Sequence, residues 1–150
     1  MKRIFSLFTL LLLFGATSLT AQRTVIHAGS LFDGTGTDLA ENVTIIVNGN
    51  TIESVQQGFI DPGDGDTLID LSEKTVLPGL IDLHVHLEGE TNPNRYLQEF
   101  TLNPEDRAFH SVLYAKRTLE AGFTTVRELG GSGVNTALRD AINGGFVVGP

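Results

Sequence analysis

Apolar and polar positions change their period near residue 77. Before it, apolar residues fall in short alternating runs at 24–28, 43–47, 51–55 and 67–71, the spacing of half-buried strands. Asn48-Gly49-Asn50 separates the second and third runs, and its Asn-Gly step favours a tight hairpin. Residues 29–36 read as a glycine-rich loop without the Gly-Lys-Ser/Thr ending of a phosphate loop, and the aspartate-rich stretch 61–66 reads as a solvated turn. After Pro78-Gly79 the pattern predicts a strand through His86, a polar loop over 88–103, and a helix beginning at Pro104 with Asn103 as its cap. Phe109, Val112, Leu113, Lys116 and Leu119 mark its stripe, widened by Ala108 and Ala115, and Gly122 closes it. A second strand over 123–128, a glycine-rich loop and a second amphipathic helix over 134–142 follow, and 146–150 resembles the approach to another strand.

Strand, helix, strand, helix is the order of parallel βα units. A closed (β/α)8 barrel takes about 250 residues, so two such units amount to roughly a quarter of one. The expectation is therefore an α/β chain holding an incomplete barrel.

The strand after Pro78-Gly79 carries the chemistry. Alternation puts Asp82, His84 and His86 on one face, and Ile81, Leu83, Val85 and Leu87 on the other as an apolar back. Two surface histidines on an edge strand would be the plain alternative. The Pro-Gly lead and the two-sided pattern favour a metal site, since neutral imidazole is a common zinc ligand and two rings at i and i+2 can converge on one ion.

Composition narrows the classes. With 41% hydrophobic and 19% charged residues the 150-residue chain is globular, and its formal charge of −8 offers no basic stripe for nucleic acid. The absence of cysteine excludes disulfides, thiolate ligands and a cysteine nucleophile. Lys2 and Arg3, an apolar run over 4–16 and small residues to Ala21 read as an export signal, cleaved after Ala21 or Ser18. The apolar run is short for a membrane span, which needs about 20 residues. A periplasmic or secreted protein with no membrane attachment after cleavage is expected, more acidic still once Lys2 and Arg3 are lost.

On these motifs the sequence resembles the amidohydrolase superfamily of metal-dependent hydrolases. The glycine loop 29–36, the Asn48-Gly49 hairpin, Leu77-Pro78-Gly79 and Asp82-x-His84-x-His86 carry the likeness. Residues 115–131, with Thr124-Thr125-Val126-Arg127-Glu128, resemble the branch of imidazolonepropionase and the Xaa-Pro dipeptidase-type amidohydrolases, though many relatives have Asp where this chain has Glu128. The resemblance implies a (β/α)8 TIM barrel preceded by a small β-sandwich segment: signal peptide 1–21, sandwich portion 22–75, first βα units 76–150. It implies His84 and His86 as first-strand ligands of one or two divalent ions, zinc above all. The remaining ligands, namely a lysine or equivalent carboxylate, two histidines and an aspartate, are expected beyond residue 150. It further implies a small-molecule or dipeptide-like substrate or a cyclic amide, hydrolysed at a carbon–nitrogen bond, and allows a homo-oligomer.

An N-terminal fragment of this kind is expected to be inactive alone. The alternative is a non-catalytic remnant that binds metal or a partner, and a single-ion deaminase of the same superfamily is a third reading. No catalytic residue is assigned within the chain. Asp82 stands as a substrate contact or a support for a ligand, and so does Arg127, at the C-terminal end of its strand. Glu88 and Glu90 are expected only to solvate their loop. His27 and His110 are expected to be structural.

Overall fold

The computed structural model describes residues 22–150, so the expected export signal lies outside the described residues. Two compact units meet in sequence at Leu77 and Pro78.

The first unit is one four-stranded sheet of β1 (Arg23–Leu31), β2 (Ala40–Asn48), β3 (Thr51–Gln57) and β4 (Thr67–Val76), in the order β3-β2-β1-β4. β1 pairs antiparallel with β2 and parallel with β4, and β2 pairs antiparallel with β3. Asn48 faces Thr51 across the expected hairpin, with Gly49 at φ 61° in the turn. Three residues read as loop, Gly29, Ser30 and Leu31, belong instead to β1. The register slips at Gly29, where a Cβ would collide with the Ser72 carbonyl; glycine here serves close packing of two strands, not a turn.

Ala28, Leu31, Val43 and Ile45 form this unit's core, with Ile26, Val47 and Val76 against it. Thr44 is also fully buried, and its hydroxyl donates to the Gly58 carbonyl (2.7 Å) and accepts from the Ile60 N–H (2.9 Å). Both bonds tie residues 58–60 to β2 and satisfy a polar group that would otherwise be costly to bury. In the aspartate-rich turn, Asp66 accepts from Arg23 (2.8 Å) and from the Gly63 N–H (3.0 Å).

The second unit holds β5 (Leu80–Val85), α1 (Arg95–Thr101), α2 (Pro104–Glu120), β6 (Phe123–Glu128) and α3 (Val134–Asn143). β5 and β6 pair in parallel, so β5, α2 and β6 make the expected βαβ unit. At Gly79 any Cβ would collide with the Thr124 side chain, which explains the glycine ahead of β5. Asn103 and Asp106 form a reciprocal capping box at the start of α2, and Gly122 follows its end at φ 98°.

Three expectations change here. The polar loop contains α1, whose Tyr96, Leu97 and Phe100 share one helical face yet are all exposed; at seven residues the helix is too short for that period to stand out in the sequence. On α2 the buried residues are Ser111 and Ala115, with Val112 beside them, whereas Phe109 is 78% exposed. Small residues let the core close tightly around Leu87, Ala115 and Leu138, and the larger ring on the neighbouring face finds no partner among the described residues. On β5 the apolar back is divided: Leu87 is buried and Val85 packs on the core, but Ile81 and Leu83 are more than 60% exposed.

Candidate metal centre

β5 delivers Asp82 and His84, and His86 follows one residue past its end. Between Asp82 and Val85 the register with β6 shifts, a local bulge of the kind that re-aims side chains near sites. The Asp82 carboxylate accepts from the His84 N–H at 2.9 Å, holding the backbone at that irregularity. The His84 and His86 rings meet edge to face, centroids 5.3 Å apart at 80°.

His86 Nδ1 lies 3.2 Å from Glu128 Oε1 and 3.3 Å from the Gly130 carbonyl oxygen. Both neighbours can only accept, so a proton on Nδ1 would satisfy both and, in a neutral ring, leave the Nε2 lone pair free. A carboxylate or carbonyl behind one ring nitrogen is the usual support of a metal-ligating histidine. The residues present therefore fit a divalent ion in kind, supplying two imidazoles of the roughly four ligands that zinc takes. No group of three or more His, Asp or Glu side chains is arranged to hold an ion among the described residues.

Asp82, His84 and His86 line one open groove of about 410 Å³, together with Glu90, Tyr114 and Arg117. Arg127 lines a different cavity of about 400 Å³, beside Leu87, Glu128 and Asn135. The structure thus gathers three of the four sequence-derived candidates and sets Arg127 apart.

Glu88 and Glu90 do more than solvate their loop. Glu88 accepts from the Ser132 N–H (2.9 Å) and the Asn135 N–H (2.8 Å), filling the N-terminus of α3. Burial opposes its charge most strongly of any single cause, but those two backbone donors, the Ser132 hydroxyl and the Arg107 charge together outweigh it and hold the carboxyl below its usual range. Glu90 pairs with Arg117 Nη1 at 3.0–3.1 Å. His27 stacks on Phe59 with Nε2 2.9 Å from the Ile60 carbonyl oxygen, and His110 tilts against Tyr114 of the groove wall; neither histidine itself lines the groove.

Glu128 is the residue that sequence reasoning missed. Its Oε2 accepts from the Leu87 N–H (2.7 Å) and its Oε1 from the Gly130 N–H (3.1 Å), so one carboxylate joins the end of β5 to the loop after β6. The available signal was its place at the end of a parallel neighbour strand, which becomes informative once the register of β5 and β6 is known.

A family model described as the amidohydrolase family matches residues 75–150. Among solved structures, the chain is similar to a Xaa-Pro dipeptidase with methionine bound in its active site (40% identity, TM-score 0.79, covering 86% of this chain and 32% of that one). It is also similar to a prolidase complexed with N-methylphosphonate-L-proline (32% identity, TM-score 0.72, 86% and 30%). A third likeness is to A. niger ochratoxinase (27% identity, TM-score 0.69, 87% and 30%). The chain spans about a third of the length of these proteins. No curated protein matches it.

Proposed function

The chain belongs to the amidohydrolase family, and from that membership we propose a metal-dependent hydrolase of carbon–nitrogen bonds in which His84 and His86 are two of the metal ligands. Its β5-α2-β6-α3 run is the N-terminal part of a (β/α)8 barrel of that family, preceded by the sheet β1–β4. The observation that carries the proposal is the pair of neighbouring imidazoles, one of them backed at Nδ1 by Glu128 and Gly130.

Each residue has a part in this reading. His84 and His86 bind the ion. Asp82 holds the His84 peptide through the 2.9 Å bond rather than ligating. Glu90 and Arg117 form an ion pair on the groove wall, and Glu88 ties the loop after β5 to the start of α3. When bound, a divalent ion such as zinc supplies Lewis acidity for the attacking water and the scissile carbonyl. The dipeptidase and prolidase likenesses favour a dipeptide-like substrate, Xaa-Pro first among them. The charged start, apolar run and small residues of the first 21 positions support export to the periplasm or beyond.

The test is hydrolysis of Xaa-Pro dipeptides by the full-length protein with added zinc. Free proline should be released, and release should cease in the double variant His84→Ala, His86→Ala and in excess chelator. Undiminished release from either would overturn the proposal. Residues 22–150 purified alone, which bring two ligands to the ion, are expected to release none.

A further inference from the structure

We infer that Glu128 is the positioning residue of His86: it holds the imidazole proton on Nδ1 and so leaves Nε2 as the ligating nitrogen. This rests on the reading of His84 and His86 as metal ligands.

Two backbone donors and one ring nitrogen converge on one carboxylate, with the Leu87 N–H on Oε2 at 2.7 Å and the Gly130 N–H and His86 Nδ1 on Oε1 at 3.1 and 3.2 Å. The Glu128 side chain is 17% exposed, so these bonds form away from most competing water, while the His86 side chain keeps 54% of its surface open. A carboxylate accepts at both oxygens. Glutamine has one acceptor oxygen, and its NH2 group would have to face a backbone N–H. The other partner of Nδ1, the Gly130 carbonyl, belongs to the residue whose N–H Glu128 also holds. Both supports of the imidazole therefore depend on this side chain. The bonds also tie Leu87, the residue after His86, so ring and backbone are fixed together.

Two measurements on the full chain decide the matter. Zinc affinity is obtained by competition titration for wild type, Glu128→Gln and His86→Ala. The protonated ring nitrogen of His86 is read from 15N spectra of the metal-free protein at pH ~8. Wild type should show Nδ1–H, and Glu128→Gln should bind zinc about 10- to 100-fold more weakly, the usual loss on removing such a support. Its His86 should also lose the single Nδ1–H form, which a merely structural role would leave in place. If His86→Ala binds zinc as tightly as wild type, the ligand reading itself falls. If His86→Ala loses zinc while Glu128→Gln keeps wild-type affinity and the Nδ1–H form, the role assigned to Glu128 falls alone. Should Glu128→Gln not fold, the wild-type spectrum decides: a bare Nδ1 with the proton on Nε2 overturns the inference.

Discussion

The two units solve the burial problem differently. In the first, branched side chains from two central strands, Val43 and Ile45 on β2 and Leu31 on β1, fill the core, and a buried threonine pins residues 58–60 to the sheet. In the second, Leu87, Ala115 and Leu138 are the buried centre, ringed by half-buried Val85, Val112, Val126, Ile142 and Val147, while Ile81, Leu83, Phe100 and Phe109 stay exposed. Much of the second unit's precision comes from carboxylates: Glu128 ties the end of β5 to the loop after β6, and Glu88 ties the loop after β5 to the start of α3. The candidate site lies where side-chain hydrogen bonds, more than apolar packing, set positions. Such bonds specify geometry sharply, since a lost partner leaves a donor unsatisfied.

The largest expected break of this contrast is Ile45→Ala, which should cost about 2–5 kcal/mol by opening a cavity in the first core. The chain has no tryptophan and two tyrosines, Tyr96 and Tyr114, both in the second unit. Urea unfolding followed by tyrosine fluorescence therefore reports the second unit, and far-UV circular dichroism reports both. Ile45→Ala should lower the dichroism midpoint more than the fluorescence midpoint; equal shifts would show that the units unfold as one.

A smaller effect is expected from Glu88→Gln, about 0.5–2 kcal/mol, the range for a lost helix N-terminal cap. It should appear mainly in tyrosine fluorescence. No change there would mean that α3 does not depend on that carboxylate.

The smallest effect concerns acid. Arg23, by its hydrogen bond first, holds the Asp66 carboxyl below its usual range, against a smaller opposing effect of burial. A carboxyl with a lowered folded-state pKa adds stability above its unfolded pKa and loses it as pH falls through the folded value. The stability of the first unit should therefore decline below the ordinary aspartate range near pH ~4, and Asp66→Asn should flatten that decline. An unchanged pH profile in Asp66→Asn would place the acid sensitivity elsewhere.

Local chemistry determined much of this protein. Alternation marked the strands, Asn48-Gly49 the hairpin, Asn103-Pro104 the start of α2, and spacing alone put His84 beside His86. These features depend on residues a few positions apart, so a sequence displays them directly. Tertiary structure decided which faces found partners: Ser111 went inside beside the expected Ala115 while Phe109 stayed out, and α1 formed without a buried side. It also turned Glu128 and Glu88, which look like ordinary strand-end and loop acids, into the ties that order the site, through bonds spanning 41 to 47 residues. Contacts of that reach follow from the parallel register of β5 and β6, and no local periodicity encodes the register between strands separated by a helix.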